Sequence, residues 1–293
     1  MKNKCIEQNS DSDHLQPFNW SLIAVGLLLV LTTAWAYWDT IVSLLKEWQS
    51  NDDYSAGQLV PMVGVFFVWV ERERLRKCVL RPCWWGILVV FAAVAARIFG
   101  LLFMYESAER YSLALIIAGL VLVVGGKQVV RVMWWALLFL FLMVPLPGKI
   151  HNMISGPLQS MATSGAVFLL EAFGVRVSQL GNVIVLNQKV SMSVVEACSG
   201  LRMLTAFVIV AGFIAYMVKR SRMQKAIIFL SGVPVAVICN ILRLFVTGIL
   251  FLTASTEVAE KFFHDFAGIV MMPVAVMLLF GELWLMDKLI VSE

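Results

Sequence analysis

Long apolar runs alternate along the chain with short polar segments that carry most of its charges. A helix that crosses a membrane needs roughly 20 apolar residues. Eight runs approach this length, and the second is the shortest; they cover residues 20–38, 58–70, 84–105, 112–126, 132–147, 197–218, 226–253 and 262–285. The pattern predicts an all-α polytopic membrane protein with about eight transmembrane helices.

A polar segment, residues 148–196, separates the fifth apolar run from the sixth. Within it, residues 153–174 predict an amphipathic helix that lies at the outer membrane surface or re-enters the membrane, with Glu171 on its polar side. Alternating β-forming residues flank Asn187-Gln188 and predict a small β-hairpin. We therefore expect this segment to be an extracytoplasmic insert.

The composition indicates that the helices are surrounded by lipid rather than by water, and it leaves the fold class unchanged. Of 293 residues, 60% are hydrophobic and 14% are charged, whereas soluble domains carry roughly 25% charged residues. The mean hydropathy is +0.86. Membrane lipids are therefore expected partners, and the net charge of +4, carried mostly by loops, does not indicate a nucleic acid.

Loop charges set the expected orientation, because Lys and Arg accumulate on the cytoplasmic side. With eight spans, both termini share a face that carries fourteen Lys and Arg residues, against six on the opposite face. We expect both termini in the cytoplasm. The predicted organisation is a cytoplasmic tail (1–19) and one transmembrane domain (20–293) that includes the insert.

The cysteines exclude some classes of site. There are five, with no regular spacing and no CxxC pair, so neither a disulfide framework nor a zinc site is indicated. GxSxG and HExxH motifs are also absent, which removes support for a serine hydrolase or a metalloprotease. We expect no cofactor and no metal.

One of these cysteines, Cys198, lies at the outer end of the sixth run, in the stretch from Glu196 to Arg202. A helix N-terminus favours a thiolate, and Arg202 lies one turn further along the same face. The alternative is a small buried Cys198 and an Arg202 side chain that reaches the interface.

Arg243 lies well inside the seventh run. Its distance from Thr253 along a helix is roughly 15 Å at 1.5 Å per residue. An arginine at this depth is costly unless it is partnered or hydrated, so it indicates a functional site. Asn240 shares its helical face and is placed to orient the guanidinium group.

His264, at the outer mouth of the last run, is a candidate imidazole for proton transfer; the alternative is an interfacial histidine whose hydrogen bonds are satisfied. The adjacent Asp265 faces another direction, and its role stays open. Cys198, Arg243 and His264 come from three spans yet share one depth. Together they match the nucleophile, oxyanion stabiliser and base of acyl transfer.

At these residues the chain resembles the exosortase/archaeosortase family. The resemblance begins near Gln58 and is carried by the stretches EACSGLR (196–202), NxxR (240–243), HxxxG (264–268), VPLP (144–147) and YSAGQLVP (54–61). Many members have His-Gly where this chain has Ala56-Gly57, so the role of that histidine does not transfer.

The resemblance implies a membrane-embedded cysteine transpeptidase or peptidase of the bacterial cytoplasmic (inner) membrane. Its partners would be membrane-anchored exported proteins with a C-terminal sorting signal of the PEP-CTERM type. Cys198, Arg243 and His264 would be catalytic, on the extracytoplasmic side. The predicted supporting residues are Arg202, Asn240 and Glu196. The substrate motif, the acceptor and the oligomeric state stay open.

Two other functions fit the pattern. In a transporter or polysaccharide export component, Arg97, Arg202 and Arg243 would line an anion pathway. Transporters often have interrupted helices at matching positions. Gly232-Val233-Pro234 predicts one such interruption, but no matching segment exists in the other half of the chain. A non-catalytic scaffold for envelope polysaccharide assembly is the third reading.

Overall fold

The structure, a computed structural model, describes residues 20–187, 190–193, 201–254, 259 and 267–290. The chain divides into two compact units, Met1–Asp39 and Thr40–Glu293. The described part of the first unit comprises helix α1 (Trp20–Ala36) and the start of helix α2 (Trp38–Ser50). The described residues of the candidate site all belong to the second unit.

Helices dominate the described chain, and one small sheet interrupts them. After α2 the helices are α3 (Leu59–Val70), α4 (Arg72–Arg76), α5 (Trp85–Leu102), α6 (Glu106–Phe139), α7 (Gly148–Ala172), α8 (Leu201–Met217), α9 (Arg222–Thr253) and α10 (Ala267–Ile290). Two 3₁₀ helices precede α3 and follow α6, at Asp52–Gln58 and Leu140–Met143. The strands are β1 (Val177–Leu180), β2 (Val183–Leu186) and β3 (Val190–Ser193).

Four helical segments of the described chain are long and apolar enough to cross a membrane, or five if the bent pair Gly26–Ala36 and Trp38–Ser50 counts as one span. The four are Asp52–Val70, Trp85–Leu102, Glu106–Met143 and Arg222–Thr253; Leu201–Met217 and Val270–Met286 are shorter apolar helices. The prediction of a helical integral membrane protein is confirmed. The number eight stays a prediction.

Helices α5 and α6 form an antiparallel pair whose backbones approach closely at glycines. A Cβ atom on Gly86 would lie 2.6 Å from the backbone nitrogen of Val123, and one on Gly119 would lie 3.0 Å from that of Val90. Small residues at such contacts are how helices pack tightly in lipid, where apolar burial does not favour association.

Helix α6 is broken at Gly126, which has φ 72° and ψ −173°. This region of backbone space is almost restricted to glycine. A Cβ atom here would also lie 1.9 Å from the carbonyl oxygen of Arg81, so the loop before α5 closes directly on the break. Only glycine fits this position.

The two halves of α6 double back on each other at this break. The rings of Tyr111 and Phe141 have centroids 6.3 Å apart. A straight helix between these residues would separate them by roughly 45 Å. The segment from Glu106 to Met143 is therefore a helical hairpin rather than one long rod.

Helices α8, α9 and α10 share one core. Its buried side chains include Phe207, Cys239 and Ala275. At Gly232 a Cβ atom would lie 3.0 Å from the Cβ of Ala211, so this glycine serves a close helix crossing. The predicted interruption at Gly232-Val233-Pro234 is wrong, because α9 continues through Pro234.

A second core joins α7, the sheet and the last turns of α9. Its buried residues are Ala162, Ala166, Leu170, Ile184, Leu186, Met192 and Leu244. The predicted hairpin is present as β2 paired with β3, and β1 extends it to three antiparallel strands. The turn between β1 and β2 uses Gly181, with φ 62°, followed by Asn182; this Gly-Asn pair is a hairpin signal in the sequence.

Candidate functional site

The predicted thiol and imidazole lie outside the described residues, as do Glu196 and Asp265. The described chain resumes at Leu201, just after Cys198, and at Ala267, just after His264. The convergence of Cys198, Arg243 and His264 therefore stays a prediction. The described part of the candidate site consists of Arg243 and the segments next to Cys198.

Arg243 lies on the buried stripe of α9. Its exposed fraction is 6%, that of Asn240 is 2%, and Thr247 is fully buried. Asn240, Arg243 and Thr247 occupy positions i, i+3 and i+7, which places them on one helical face. Polar groups on three consecutive turns make this the polar part of an otherwise apolar interface.

The polar stripe lies where the two cores of the second unit meet along α9. On one side, Cys239 packs with α8 and α10. On the other, Leu244 packs with α7 and the sheet. Asn240 Oδ1 is buried without a hydrogen-bond partner among the described residues, and a buried acceptor of this kind is costly to leave unsatisfied.

The first turn of α8 is tied to the 3₁₀ helix Asp52–Gln58. Arg202 Nη1 lies 3.2 Å from Asp52 Oδ2, and the Thr205 hydroxyl donates to the Asp53 carbonyl oxygen at 2.9 Å. The guanidinium of Arg202 thus has a carboxylate partner. Its predicted effect on the Cys198 thiol is not tested by these contacts.

The same 3₁₀ helix is tied to the start of α7. Tyr54 Oη lies 2.8 Å from His151 Nδ1 and 3.5 Å from the Leu146 carbonyl oxygen, to which it donates. His151 Nε2 lies 3.9 Å from Asp53 Oδ2. Tyr54 is buried, so its hydroxyl needs such partners.

Gly57 lets the 3₁₀ helix approach the end of the α6 hairpin. Trp48 Nε1 donates to the Met143 carbonyl oxygen at 3.0 Å. A Cβ atom on Gly57 would lie 2.7 Å from Trp48 Nε1 and 3.1 Å from that oxygen. The stretches YSAGQLVP and VPLP, distant in sequence, therefore meet beside the first turn of α8.

The model of the transmembrane exosortase family (EpsH) matches residues 48–281. This range is most of the chain and contains every part of the site described above. The chain belongs to the transmembrane exosortase family. No curated protein and no solved structure matches it.

In this exosortase, a network of charged side chains is connected by hydrogen bonds to the start of the 3₁₀ helix. Arg110 is buried, and its Nη2 donates to Glu106 Oε2 at 2.6 Å and Ser43 Oγ at 2.9 Å. The same nitrogen lies 3.4 Å from Glu47 Oε2. Glu47 in turn accepts from Asn51, whose own side chain accepts from the Asp53 backbone at the start of the 3₁₀ helix.

Sequence reasoning missed His151 and this network. His151 carried a signal, since it is a histidine at the start of the predicted amphipathic helix, in the polar insert. Arg110 and Glu47 carried none, because they belong to separate helices whose pairing depends on the tertiary fold. Among the described residues, no group of three His, Cys, Asp or Glu side chains is placed to hold a metal.

Proposed function

We propose that this exosortase is a cysteine transpeptidase or peptidase that cleaves a C-terminal sorting signal of exported, membrane-anchored proteins. Family membership supports sorting transpeptidation in general. The observation that carries the finer proposal is Arg243, buried with Asn240 on a polar stripe of a membrane helix. A guanidinium held in such a place is suited to a developing negative charge.

The proposed reaction is acyl transfer through a thioester. His264 takes the proton from the Cys198 thiol, and the thiolate attacks the scissile carbonyl carbon. Arg243 neutralises the resulting oxyanion in a low-dielectric site. The tetrahedral intermediate collapses, the C–N bond breaks, and the leaving amine takes the proton from His264. An amine, a hydroxyl or water then attacks the thioester carbonyl carbon and gives its proton to His264. The C–S bond breaks, and His264 returns that proton to the Cys198 thiolate.

The supporting residues have distinct proposed roles. Asn240 Oδ1, which lacks a partner among the described residues, accepts a hydrogen bond from the substrate or from the site. Arg202 and Thr205, held by the 3₁₀ helix, fix the first turn of α8, which directly follows the Cys198 segment. Glu196 belongs to that segment and shares the supporting role.

The proposed setting is the bacterial cytoplasmic membrane, with both termini inside and the active site facing outwards. In this proposal the α6 hairpin, which contains the fourth and fifth apolar runs, crosses the membrane twice. Each of the other six apolar runs crosses once, which gives eight spans. The 3₁₀ helix Asp52–Gln58 and the start of α7 then lie at the outer side. The substrate would be a protein of the PEP-CTERM type.

Replacement of the thiol tests the proposal directly. With a co-expressed tagged substrate, Cys198→Ala should abolish processing, measured by mass spectrometry of the new C-terminus. Cys83→Ala is the matched control, since Cys83 lies in the described loop before α5, and it should process normally. Full processing by Cys198→Ala would end the proposal.

One expectation of the transporter reading is not met. Helix α9 is continuous through Pro234, so the interruption expected at that position is absent. Arg97 lies on α5 and Arg202 is paired with Asp52. The transporter reading would be favoured if Arg243→Gln impaired the function of the protein and Cys198→Ala left it unchanged.

A further inference from the structure

A pocket of about 700 Å³ opens between α6 and α9. Its lining, here called the basic pocket, consists of Leu122, Lys127, Val130, Arg131, Trp134, Trp135, Arg222, Lys225 and Ala226. The volume lies within the usual range for small-molecule sites. Four of the nine residues are cationic, and the others are apolar or aromatic.

Three of the four cations of the basic pocket have no ionic partner among the described side chains. Lys127, Arg131 and Arg222 have neither a salt bridge nor a hydrogen bond to any other described side chain. None of its lining residues carries a carboxylate. Lys225 donates to the Tyr216 carbonyl oxygen at 3.1 Å, and its charge also interacts with the carboxylate of Glu71. Such a concentration of one sign attracts an anion.

The basic pocket lies at the opposite end of the helices from the candidate site. Lys225 bonds to Tyr216, near the end of α8, whereas Arg202 contacts the 3₁₀ helix at the beginning of α8. The fourteen helical steps from Arg202 to Tyr216 correspond to roughly 21 Å along α8. The break at Gly126, beside the backbone of Arg81, also lies at the pocket end.

The surroundings of the pocket fit an amphiphile rather than a soluble anion. Trp134 is 51% exposed and continues the apolar wall formed by Leu122 and Val130. Tryptophan is enriched where membrane helices meet the headgroup region. Trp135 closes the inner side and packs against Phe229, with ring centroids 6.2 Å apart.

We propose that the basic pocket binds an anionic phospholipid. Lys127, Arg131 and Arg222 bind the phosphate, and the acyl chains lie along Val130 and Trp134. Basic pockets between membrane helices recognise lipid headgroups in this way. The lipid would join α6 to α9, and the site is independent of the thiol chemistry proposed above.

The test uses the full-length protein in detergent, with lipid retention measured by native mass spectrometry. Phosphatidylglycerol is compared with phosphatidylcholine, whose headgroup has no net charge. The wild type should retain phosphatidylglycerol preferentially. Lys127→Gln/Arg131→Gln should lower this preference roughly 25-fold, from about 5-fold per cation. Arg76→Gln/Lys77→Gln, at the end of α4 and the start of the loop after it, should keep it.

Other outcomes would overturn the site. Equal retention of the two lipids by the wild type would exclude it, and so would an equal loss in the loop control. Displacement of phosphatidylglycerol by millimolar glycerol phosphate would assign the pocket to a soluble anion instead. If the double variant does not fold, Trp134→Phe replaces it in the test. Brominated phosphatidylglycerol should quench less of the protein's tryptophan fluorescence in this variant than in the wild type. Unchanged quenching would contradict the proposal.

Discussion

Tyr111 and Phe141 lie ring against ring, 6.3 Å between centroids, on the two arms of the α6 hairpin. If the chain crosses the membrane twice here, the loop before the hairpin and the loop after it open on the same side. Met104 and Gly148 should then be on one side, with Cys78 on the other.

Cysteine labelling in intact cells measures this arrangement. In variants that keep one cysteine each, Met104→Cys and Gly148→Cys should react with an impermeant maleimide. The native Cys78 should react only after the membrane is opened. Labelling of positions 104 and 148 from opposite sides would show a single crossing and contradict the hairpin.

Gly126→Ala should disrupt the fold. The backbone conformation there is nearly exclusive to glycine, and the added methyl would meet the Arg81 carbonyl oxygen. We expect a loss of at least about 3 kcal/mol in the free energy of unfolding, seen as a lower melting temperature in detergent. Gly156→Ala, on α7 with no atom within 4 Å, should be neutral or slightly stabilising; similar melting of the two variants would rule out the steric reason.

Arg243→Gln should lower substrate processing by about 10²- to 10³-fold while the protein still folds, as expected for the loss of an oxyanion stabiliser. Arg243→Lys keeps the charge but not the planar fork, so it should restore only part of the rate. Processing is followed by the rate of appearance of the cleaved product. Cys239→Ala changes a buried residue of α9 beside the polar stripe, and an equal loss in that variant would indicate packing instead.

The pair of Arg202 and Asp52 can be tested by exchanging its charges. Arg202→Asp and Asp52→Arg should each slow processing, because the first turn of α8 loses its tie to the 3₁₀ helix. Both side chains are substantially exposed, so the effect should be modest, within about 5-fold for a coupling below 1 kcal/mol. The double variant should recover part of the loss, as a double-mutant cycle measures; strictly additive losses would show that the pair is not coupled.

Much of the helical pattern was readable from the sequence because membrane helices must satisfy their own backbone. The break at Gly126 is one example, since the fourth apolar run was predicted to end there. The β-hairpin around Asn187 was also readable, from the alternating β-forming residues on either side of it. The strand Val177–Leu180 was missed, although Gly181-Asn182 marked its turn.

The parts that failed depend on contacts between distant segments. Gly232 and Pro234 indicated an interrupted helix, yet the glycine only allows α8 to approach. Likewise, the contact of Tyr54 with His151 joins residues 97 positions apart, and no local pattern encodes it. The depth of Arg243 was visible, but its burial between two cores required the fold.

The 3₁₀ helix Asp52–Gln58 completes its contacts only with residues made much later. Its partners Leu146, His151, Arg202 and Thr205 all follow it in the chain. During synthesis, the 3₁₀ helix therefore cannot form all of these contacts until the ribosome has passed residue 205. Its docking is a late event in assembly, so truncated nascent chains should present an unassembled, protease-sensitive site.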